Sequence, residues 1–369
     1  MLNIENNISN EKITIAVDLM GGDKAPAVVC DGVKYFCNNI LLNSFKEFSF
    51  IFVGNGFSKT LLDKKILQEN EFIETSEYVL SSDKPSAVIR NKNTSMAICI
   101  KLVADKRANA CMSAGNTGAL MAMSKLYFKT INGITRPAIS TIVPTKNQPA
   151  VLLDMGANLI CNSQNLFEFA IMGIAFAKSA FDIDKPSVGI LNIGSEDTKG
   201  NEIVQKASEM IRGSKMSSNF VGYVEGNDIN LGDVNVVVTD GFTGNIVLKA
   251  IEGIGSLIKY YLKKHFQASI FAKIGYLFAK KELTKLGEKI DPNNYNGALF
   301  LGLDGIAIKS HGSANAKGIA NAINVAYKLA KQDIIQKINN EIKNIVQESS
   351  SNSVGDKNIS ENSNQNQEN

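Results

Sequence analysis

Short apolar runs, separated by segments with helical spacing, recur along most of the chain of 369 residues. Most of these runs show no alternation of polar and apolar positions, which is typical of strands covered on both faces in an α/β sheet. The runs predict eight strands: 13–20, 48–54, 110–114, 138–143, 151–155, 188–193, 220–224 and 234–239. The helical segments between many of them indicate a mainly parallel sheet.

Five of the predicted strands are followed by polar loops that are rich in glycine. The loops are DLMGGD (18–23), SAGNTG (113–118), DMGAN (154–158), NIGSEDTKGNE (192–202) and TDGFTGN (239–245). Ligands of open α/β sheets bind at the carboxyl ends of the strands. We therefore expect the five loops to meet at one edge of the sheet and to form a binding site there.

The stretch SAGNTGALM (113–121) carries one strand directly into a predicted helix through Gly115, Asn116, Thr117 and Gly118. Backbone N–H groups at a helix N-terminus bind anions when no bulky side chain blocks them. Glycines that only allow a tight turn are the alternative explanation. The stretch is therefore either a candidate anion site or an ordinary turn.

The composition is that of a globular protein. The chain is 44% apolar, which is ample for a buried core. We expect a single domain over 12–346, with a disordered leader at 1–11 and a disordered polar tail at 347–369. No stretch approaches the roughly 20 apolar residues of a transmembrane helix, and the first residues are too polar for a signal peptide.

The five cysteines are scattered and contain no C-x-x-C pair. The sequence therefore indicates neither a disulfide framework nor a zinc site, and it fits a reducing cytoplasm. Cys111, just before the SAGNTG loop, is a conceivable acyl-accepting nucleophile. Its apolar neighbours and the lack of a histidine nearby in sequence favour a buried strand position instead.

Positive charge is concentrated in one segment of the chain. The net charge is only +3, too small to indicate nucleic acid binding, but residues 256–289 contain eight lysines and two glutamates. Apolar residues of 266–283 recur at helical spacing, which predicts a basic amphipathic helix in a membrane interface. The same stripe would also suit a helix that packs on the core or on a second subunit. We expect 256–290 to form a helical excursion from the domain.

Standard cofactor motifs are missing, since no G-x-G-x-x-G opens a helix and no G-x-x-x-x-G-K-[ST] occurs. Acidic residues at strand ends, such as Asp18 and Asp154, are possible magnesium ligands, but lone carboxylates there often cap helices or hold loop N–H groups. Of the two histidines, only His311, within KSHGSAN (309–315), lies in a plausible site loop. We therefore expect no cofactor and no metal.

Taken in order along the chain, the motifs resemble those of the bacterial phosphate acyltransferase (PlsX) family. The matching stretches are AVDLMGGD (16–23), TSM (94–96), SAGNTGALM (113–121), GITRPA (133–138), LLDMGAN (152–158), FAIMG (169–173), LNIGSEDTKGNE (191–202), VTDGFTGNIVLKAIEG (238–253), YNGALFLG (295–302) and IKSHGSAN (308–315). They cover about 300 residues, and the chain departs from the family mainly at its ends and in the basic segment.

The resemblance implies a three-layer α/β/α sandwich similar to phosphotransacetylases, and a homodimer. It also implies an enzyme that moves a long-chain fatty acyl group from acyl carrier protein to inorganic phosphate. Such an enzyme is cytoplasmic, lies peripherally on the inner face of the cell membrane, and passes acyl-phosphate to a membrane-bound glycerol-3-phosphate acyltransferase. No nucleic acid partner is implied.

This chemistry gives the candidate site residues their roles. Phosphate must be held and aimed at a thioester carbonyl, and the resulting oxyanion needs preorganised donors. The candidate catalytic residues are Lys199, Asn201, Asp240, Asn245 and His311. The candidate substrate-binding residues are Asp18, Gly21, Gly22, Ser113, Gly115, Asn116, Thr117, Asp154, Asn158, Glu196 and Thr243.

Direct attack by phosphate, without an acyl-enzyme, is the simplest mechanism. A thiolate leaving group, with a pKa of roughly 8.5, needs little protonation, so the scarcity of histidine is no obstacle. Two other classes remain open. A coenzyme A-dependent phosphotransacetylase for small acyl groups would share the fold and the chemistry but would not need a membrane-binding helix. A non-catalytic membrane scaffold for lipid enzymes would not need five polar loops.

Overall fold

The computed structural model of the chain describes residues 12–42, 46–289 and 291–355. The predicted leader, 1–11, lies outside these residues. Within them the chain forms eleven strands in a single sheet. The strands are β1 (Ile13–Asp18), β2 (Phe48–Gly54), β3 (Glu71–Glu74), β4 (Ala110–Ser113), β5 (Ala138–Val143), β6 (Ala150–Leu153), β7 (Val188–Leu191), β8 (Phe220–Val224), β9 (Val236–Val238), β10 (Ala298–Leu301) and β11 (Ile306–Lys309).

The same described residues contain twelve α-helices. They are α1 (Ala27–Asn39), α2 (Gly56–Leu61), α3 (Lys64–Gln68), α4 (Pro85–Val88), α5 (Ser95–Ala104), α6 (Thr117–Phe128), α7 (Ser163–Phe181), α8 (Glu202–Arg212), α9 (Gly241–Gln267), α10 (Ile270–Lys289), α11 (Ala316–Lys331) and α12 (Ile334–Gly355). Two short 3-10 helices, Lys215–Ser218 and Pro292–Tyr295, join neighbouring elements.

All eight predicted strands are confirmed, and three further strands were not predicted. The sheet order is β3-β2-β1-β4-β11-β10-β5-β6-β9-β7-β8. The strands that the sequence did not reveal, β3, β10 and β11, are each four residues long. Length alone does not explain why they were missed, since β4, β6, β7 and β9 are no longer and were predicted. Seven of the ten strand pairings are parallel, as the pattern predicted.

The prediction that five loops share one sheet edge is wrong, because the sheet reverses direction in its middle. The pairs β11–β10, β10–β5 and β5–β6 are antiparallel. As a result β1 and β4 run opposite to β6, β7 and β9, and the loops that follow the two groups leave the sheet at opposite edges. Buried apolar runs carry no information on strand direction, so the pattern could not reveal this reversal.

Helices cover both faces of the sheet. On one face, Phe36 of α1 packs against Phe48 and Phe50 of β2, with ring centroids 5.2 and 5.9 Å apart, and α7, α8, α11 and α12 continue this layer. On the other face, α5 and α6 bury Met96, Ile100 and Leu120 against the strands. The three-layer α/β/α sandwich is therefore confirmed.

The basic segment forms a protruding pair of helices, the end of α9 followed by α10. The predicted single helix over 266–283 is instead divided at Ala268 and Ser269. The Ser269 hydroxyl accepts a hydrogen bond from the Ala272 N–H at 3.0 Å, so this serine begins the second helix. None of the residues of α10 is buried. We call residues 256–289 the basic hairpin.

The last helix extends beyond the predicted boundary of the domain. α12 continues to Gly355, nine residues into the segment that was predicted to be disordered from residue 347. No proline or glycine interrupts the chain between Ile334 and Gly355, so local composition does not end the helix earlier. The rest of that predicted tail, 356–369, lies outside the described residues.

The start of α9 is fixed by its close approach to the loop after β6. A Cβ atom at Gly244 would overlap the backbone carbonyl oxygen of Asp154, in the loop after β6. A Cβ atom at Gly253, farther along the same helix, would have no atom within 4 Å. The two glycines of one helix therefore differ in whether a side chain fits.

We expect Gly244→Ala to lower the free energy of unfolding by about 1–3 kcal/mol, because the methyl group forces α9 away from the loop after β6. Gly253→Ala is the control, and we expect it to be neutral or to stabilise the protein by up to about 1 kcal/mol through helix propensity. Urea unfolding followed by circular dichroism measures both. Equal stability of the two variants would contradict the close approach.

Candidate active site

A groove of about 600 Å³ lies on the sheet face that also carries α5 and α6. Its floor is β5, and its walls are the loop after β11, the loop around the 3-10 helix Pro292–Tyr295, and the first half of α9. Side chains alternate between the faces of a strand, so Ile139, Thr141 and Val143 share the groove side of β5. The antiparallel middle of the sheet thus forms the base of the groove.

The groove combines polar residues where β11 ends with apolar residues along β5, and α9 adds the charged Lys249 and Glu252 to its lining. Thr117, Asn296, Lys309, His311 and Ser313 contribute polar atoms where β11 ends. Its apolar lining comes mainly from β5, α9 and the loop after β6: Ile139, Val143, Met155, Leu248 and Ile251. The arrangement suits a ligand that has both an anionic group and an apolar chain.

The loops after β1 and β4 are joined by a buried hydrogen bond. The Ser113 hydroxyl donates to Asp18 Oδ2 at 2.7 Å, and Asp18 Oδ1 accepts from the Met20 N–H at 3.0 Å. Burial raises the pKa of the Asp18 carboxyl, although these donors partly offset the effect. A Cβ at Gly21 would lie 2.7 Å from the Gly115 nitrogen, so only glycine lets the two loops approach this closely.

The SAGNTG loop uses most of its polar groups internally. The Asn116 side chain caps α6, accepting from the Ala119 N–H at 3.0 Å and donating to the carbonyl oxygens of Ser81 and Asp83 at 3.1 and 3.0 Å. The Gly115 N–H donates to the Ser113 hydroxyl at 3.0 Å. Thr117, the first residue of α6, lines the groove. Gly115 and Asn116 thus form a turn and a helix cap, and Thr117 is the residue of this stretch that lines the groove.

Asp154 holds the loop after β6 together. Its Oδ1 accepts from the backbone N–H groups of Ile139, Gly156 and Ala157 at 2.9, 3.2 and 3.0 Å. Its Oδ2 accepts from the backbone and side-chain nitrogens of Asn158 at 2.6 and 2.8 Å. Burial raises the pKa of this carboxyl, and hydrogen bonds from Ala157, Ile139 and Asn158 oppose that rise. The side chains of Asp154 and Asn158 therefore make hydrogen bonds that stabilise the fold.

The start of α9 places one candidate in the groove. Asp240 caps the helix, accepting from the Thr243 N–H at 2.9 Å and from its hydroxyl at 2.8 Å. Asn245 follows one turn later and lines the groove, next to the loop residue Gly156. Of the TDGFTGN motif, Asn245 is the residue that faces the groove, while Asp240 and Thr243 orient the helix.

The loop after β7 carries Glu196, Lys199 and Asn201. The Lys199 ammonium lies 3.9 Å from Glu196 Oε1, and both side chains are largely exposed. The Asn201 side chain caps α8 by accepting from the Val204 N–H at 3.0 Å. None of the three lines the groove described above.

The loop after β11 places His311 in the groove together with a residue that the sequence did not single out. His311 Nδ1 lies 2.9 Å from the Ser313 hydroxyl, and its backbone N–H donates to Asn296 Oδ1 at 2.9 Å. Lys309, two residues earlier, also lines the groove, and burial lowers the pKa of its ammonium to about 8. A lysine at the end of an apolar run, directly before SHG, is the signal that could have identified it.

Of the predicted site residues, the groove brings together Thr117, Asn245 and His311. The loops that carry Asp18, Gly21, Gly22 and Ser113 lie against the His311 loop, since the Asp23 N–H donates to the Gly312 carbonyl oxygen at 2.9 Å. The assignment of the individual residues to catalysis or to substrate binding stays a prediction.

The remaining candidate chemistries can be placed as well. Cys111 is buried in β4, as predicted, and burial raises the pKa of its thiol far above the usual range. Over residues 12–42, 46–289 and 291–355, no three acidic, histidine or cysteine side chains come together in a way that could hold a metal ion. Within these same ranges, no helix is both long and apolar enough to cross a membrane.

Solved structures with a similar architecture include phosphotransacetylases. The chain superposes on a phosphotransacetylase from Streptococcus pyogenes with a TM-score of 0.54 at 19% identity, over 89% of this chain and 94% of that one. The EutD phosphotransacetylase from Staphylococcus aureus gives a TM-score of 0.52 at 16% identity, over 89% and 96% of the two chains. The fold class is therefore phosphotransacetylase-like.

The sequence itself identifies the family. The family described as fatty acid synthesis protein matches residues 13–337. The chain is 43% identical over 337 residues to the phosphate acyltransferase of Rhodospirillum rubrum, covering 90% of this chain and 95% of the relative. It is also 43% identical over 339 residues to that of Ehrlichia ruminantium, covering 91% and 99%. The chain belongs to this family, which is the PlsX family that its motifs resemble.

We expect Asp154→Asn to lower the free energy of unfolding by about 3 kcal/mol. Both carboxylate oxygens of Asp154 accept hydrogen bonds, and in asparagine one of them is replaced by an NH₂ group that faces the same N–H donors. Asp240→Asn is the matched control, since asparagine caps a helix as well as aspartate does. Thermal unfolding of the two variants measures the difference. A loss of stability in Asp240→Asn as large as in Asp154→Asn would contradict this role of the buried carboxylate.

Proposed function

We propose that this protein is a phosphate acyltransferase that moves a long-chain fatty acyl group from acyl carrier protein to inorganic phosphate. The observation that carries the proposal is the family itself, because the match spans nearly the whole domain and the curated relatives are named phosphate acyltransferases. The product, acyl-phosphate, would serve phospholipid synthesis.

The shape and polarity of the groove support this reaction. Its polar residues near the end of β11 offer an ammonium, hydroxyls and an amide for a phosphate anion, and its apolar residues offer a surface for an acyl chain. A phosphate oxygen attacks the thioester carbonyl carbon, a C–O bond forms, and the C–S bond breaks to release the thiolate of the carrier. Asn245, whose side chain lines the groove, is our candidate donor to the oxyanion.

Lys199 and Asn201 belong to the same proposal as donors from the loop after β7. Neither residue lines the groove, so their contribution requires the substrate to extend from the groove to that loop. The thiolate needs little protonation, and His311 and Asp240 are therefore proposed as supporting polar groups, without an acyl-histidine or other covalent intermediate.

Substrate comparison tests the proposal directly. We expect phosphate-dependent turnover with palmitoyl-acyl carrier protein, slower turnover with palmitoyl-coenzyme A, and none above background with acetyl-coenzyme A. Formation of acyl-phosphate is followed as its hydroxamate. Preference for acetyl-coenzyme A would instead identify a phosphotransacetylase for small acyl groups, and no turnover with any donor would favour the non-catalytic scaffold.

We expect Asn245→Ala and Lys199→Ala each to lower the turnover of acyl-acyl carrier protein by at least about tenfold, which is roughly 1.4 kcal/mol of transition-state stabilisation. Steady-state kinetics with a parallel thermal unfolding curve measures this. Cys111→Ser is the control, and it should keep its activity because the thiol is buried in β4. Near-normal rates for both alanine variants would contradict the assignment.

The basic hairpin supports a peripheral contact with the membrane. One side of α10 carries Ile270, Phe271, Ile274, Leu277 and Phe278, and the residues Phe271 and Phe278 are 86% and 87% exposed. Positions 270, 271, 274, 277 and 278 form a continuous helical stripe. Lysines of the same hairpin can contact anionic headgroups, each contributing about 1 kcal/mol near the surface. We propose that this stripe lies in the inner face of the cell membrane.

Partner proteins follow from the same proposal. Acyl carrier protein is acidic, so the lysine-rich hairpin is one surface that could receive it. An enzyme held at the membrane shortens the path of acyl-phosphate to a membrane-bound glycerol-3-phosphate acyltransferase. We also propose a homodimer, for which α9 offers the exposed stripe Ile254, Leu257, Ile258 and Tyr261. Nothing in the charge distribution calls for nucleic acid.

We expect the double variant Ile274→Asp with Phe278→Asp to lose sedimentation with anionic liposomes and to keep its activity in solution, because two carboxylates in the stripe oppose insertion. The matched control is Phe57→Asp with Leu126→Asp, which places the same charges at exposed apolar positions outside the hairpin. Continued sedimentation of the first variant would show that α10 is not the anchor. Unfolding or a change of oligomeric state would assign the stripe to a protein interface.

A further inference from the structure

Lys309 is held inside the groove by the sheet itself. It is the last residue of β11, where it pairs with Ser113 of β4 on one side and with Ala298 of β10 on the other. Alternation along the strand puts Lys309 on the same face as Ala307, which packs in the layer of α5 and α6, while Ile308 packs in the opposite layer. The lysine side chain therefore starts from a rigid backbone and points to the groove face.

The ammonium of Lys309 contacts only uncharged oxygens. Nζ donates to the Ala114 carbonyl oxygen at 3.3 Å and to the carbonyl oxygen of Ser310. Among the described residues, no carboxylate lies within 4.0 Å of it. An ammonium has three N–H donors, so one remains for a ligand in the groove.

A partly buried lysine without a paired carboxylate is an unusual feature. Lysine is rarely removed from water unless an anion compensates its charge. The other lysine of the groove lining, Lys249, is exposed on α9 and is solvated. The groove therefore contains one cation that lacks both full hydration and an ion-pair partner among the described residues.

The charged groups around Lys309 lie in the loops after β1 and β11 and on α9, whose Lys249 and Glu252 also line the groove. Asp18, at the end of β1, and Asp23, in the loop after it, act on the ammonium from a distance and favour its charged form. The Asp18 carboxylate is already occupied by Ser113 and Met20. In the loop that follows Lys309, the titratable group is His311, whose Nδ1 lies 2.9 Å from the Ser313 hydroxyl. These groups keep a positive charge available without neutralising it by contact.

We propose that the Lys309 ammonium binds the attacking inorganic phosphate in the groove and so determines the affinity of the enzyme for that substrate. The inference rests on the proposed acyl transfer to phosphate. An ammonium suits a small tetrahedral anion as a point charge, and it adds to hydroxyl donors such as that of Thr117. Lys309 is thus a substrate-binding residue, separate from the donors that stabilise the oxyanion.

The charge state of Lys309 gives this role a pH signature. Its pKa of about 8 means that the ammonium is charged below that pH and neutral above it. Phosphate affinity should therefore be highest below pH 8 and should fall as the pH rises beyond it. An arginine at the same place keeps its charge throughout this range, because the pKa of a guanidinium lies above 12.

The test compares Lys309→Met and Lys309→Arg with the unaltered enzyme. We expect Lys309→Met to raise the KM for phosphate at least tenfold and to change the KM for palmitoyl-acyl carrier protein less than twofold. In the unaltered enzyme the KM for phosphate should rise above pH 8, and in Lys309→Arg that rise should be absent. Comparing the two proteins at each pH cancels the titration of phosphate itself.

Lys125→Met is the matched control. Lys125 also donates to a backbone carbonyl oxygen, that of Thr135 at 3.1 Å, but it lies outside the groove.

A binding measurement separates this inference from the proposed activity. Inorganic phosphate should raise the thermal unfolding midpoint of the unaltered protein and of Lys125→Met, and should not do so for Lys309→Met. Inactivity of the unaltered enzyme with every acyl donor would overturn the proposed reaction. The phosphate-induced shift of the unfolding midpoint would still test whether Lys309 binds phosphate. An unchanged phosphate KM and an unchanged shift in Lys309→Met would overturn the inference. If Lys309→Met does not fold, Lys309→Arg alone decides. A KM for phosphate that rises above pH 8 in Lys309→Arg, as it does in the unaltered enzyme, would overturn the inference.

Discussion

Three antiparallel pairings in the middle of the sheet determine where the chemistry of this protein can occur. β10 and β5 separate a parallel set of strands that includes β1, β4 and β11 from an oppositely directed set that includes β6, β9 and β7. Because the two sets end at opposite edges, no single edge collects all the polar loops. The groove instead crosses the face of β5, where the loop after β11 and the start of α9 both reach it.

Buried carboxylates stabilise the loops on each side of this groove. Asp18 joins the ends of β1 and β4 through Ser113, and Asp154 accepts five hydrogen bonds within and beside the loop after β6. Charged acceptors of this kind are costly to bury without donors, so each carboxylate fixes the N–H groups around it. With those polar groups committed to the fold, the side chains left facing the groove include Thr117, Asn245, Lys309 and His311. Rigid loops with a few uncommitted donors are what preorganised binding requires.

The basic hairpin differs from the rest of the domain in that its apolar residues are exposed. The sheet and its two helical layers bury their apolar residues, whereas α10 exposes a stripe of isoleucine, leucine and phenylalanine next to lysines. A stripe of that size needs a partner, which can be lipid or protein. The basic hairpin begins in the second half of α9, and the first half of the same helix lines the groove. α9 therefore connects the groove to the exposed stripe on α10.

The sequence alone determined the fold class, the family and eight of the strands. Hydrophobic periodicity and contiguous motifs are local features, so they can be recognised without knowing which segments are in contact. Only the tertiary structure decided strand direction, since a run of buried apolar residues looks the same in either direction. It also decided which polar residues are free to act. Asn116, Asn201 and Asp240 have the residue types of a catalytic site, yet their side-chain oxygens cap helices. Lys309 was overlooked because a single lysine is usually solvated, and only its pairing in the sheet places it in the groove. Whether a polar group is used by the fold or left for a ligand depends on contacts between residues far apart in sequence.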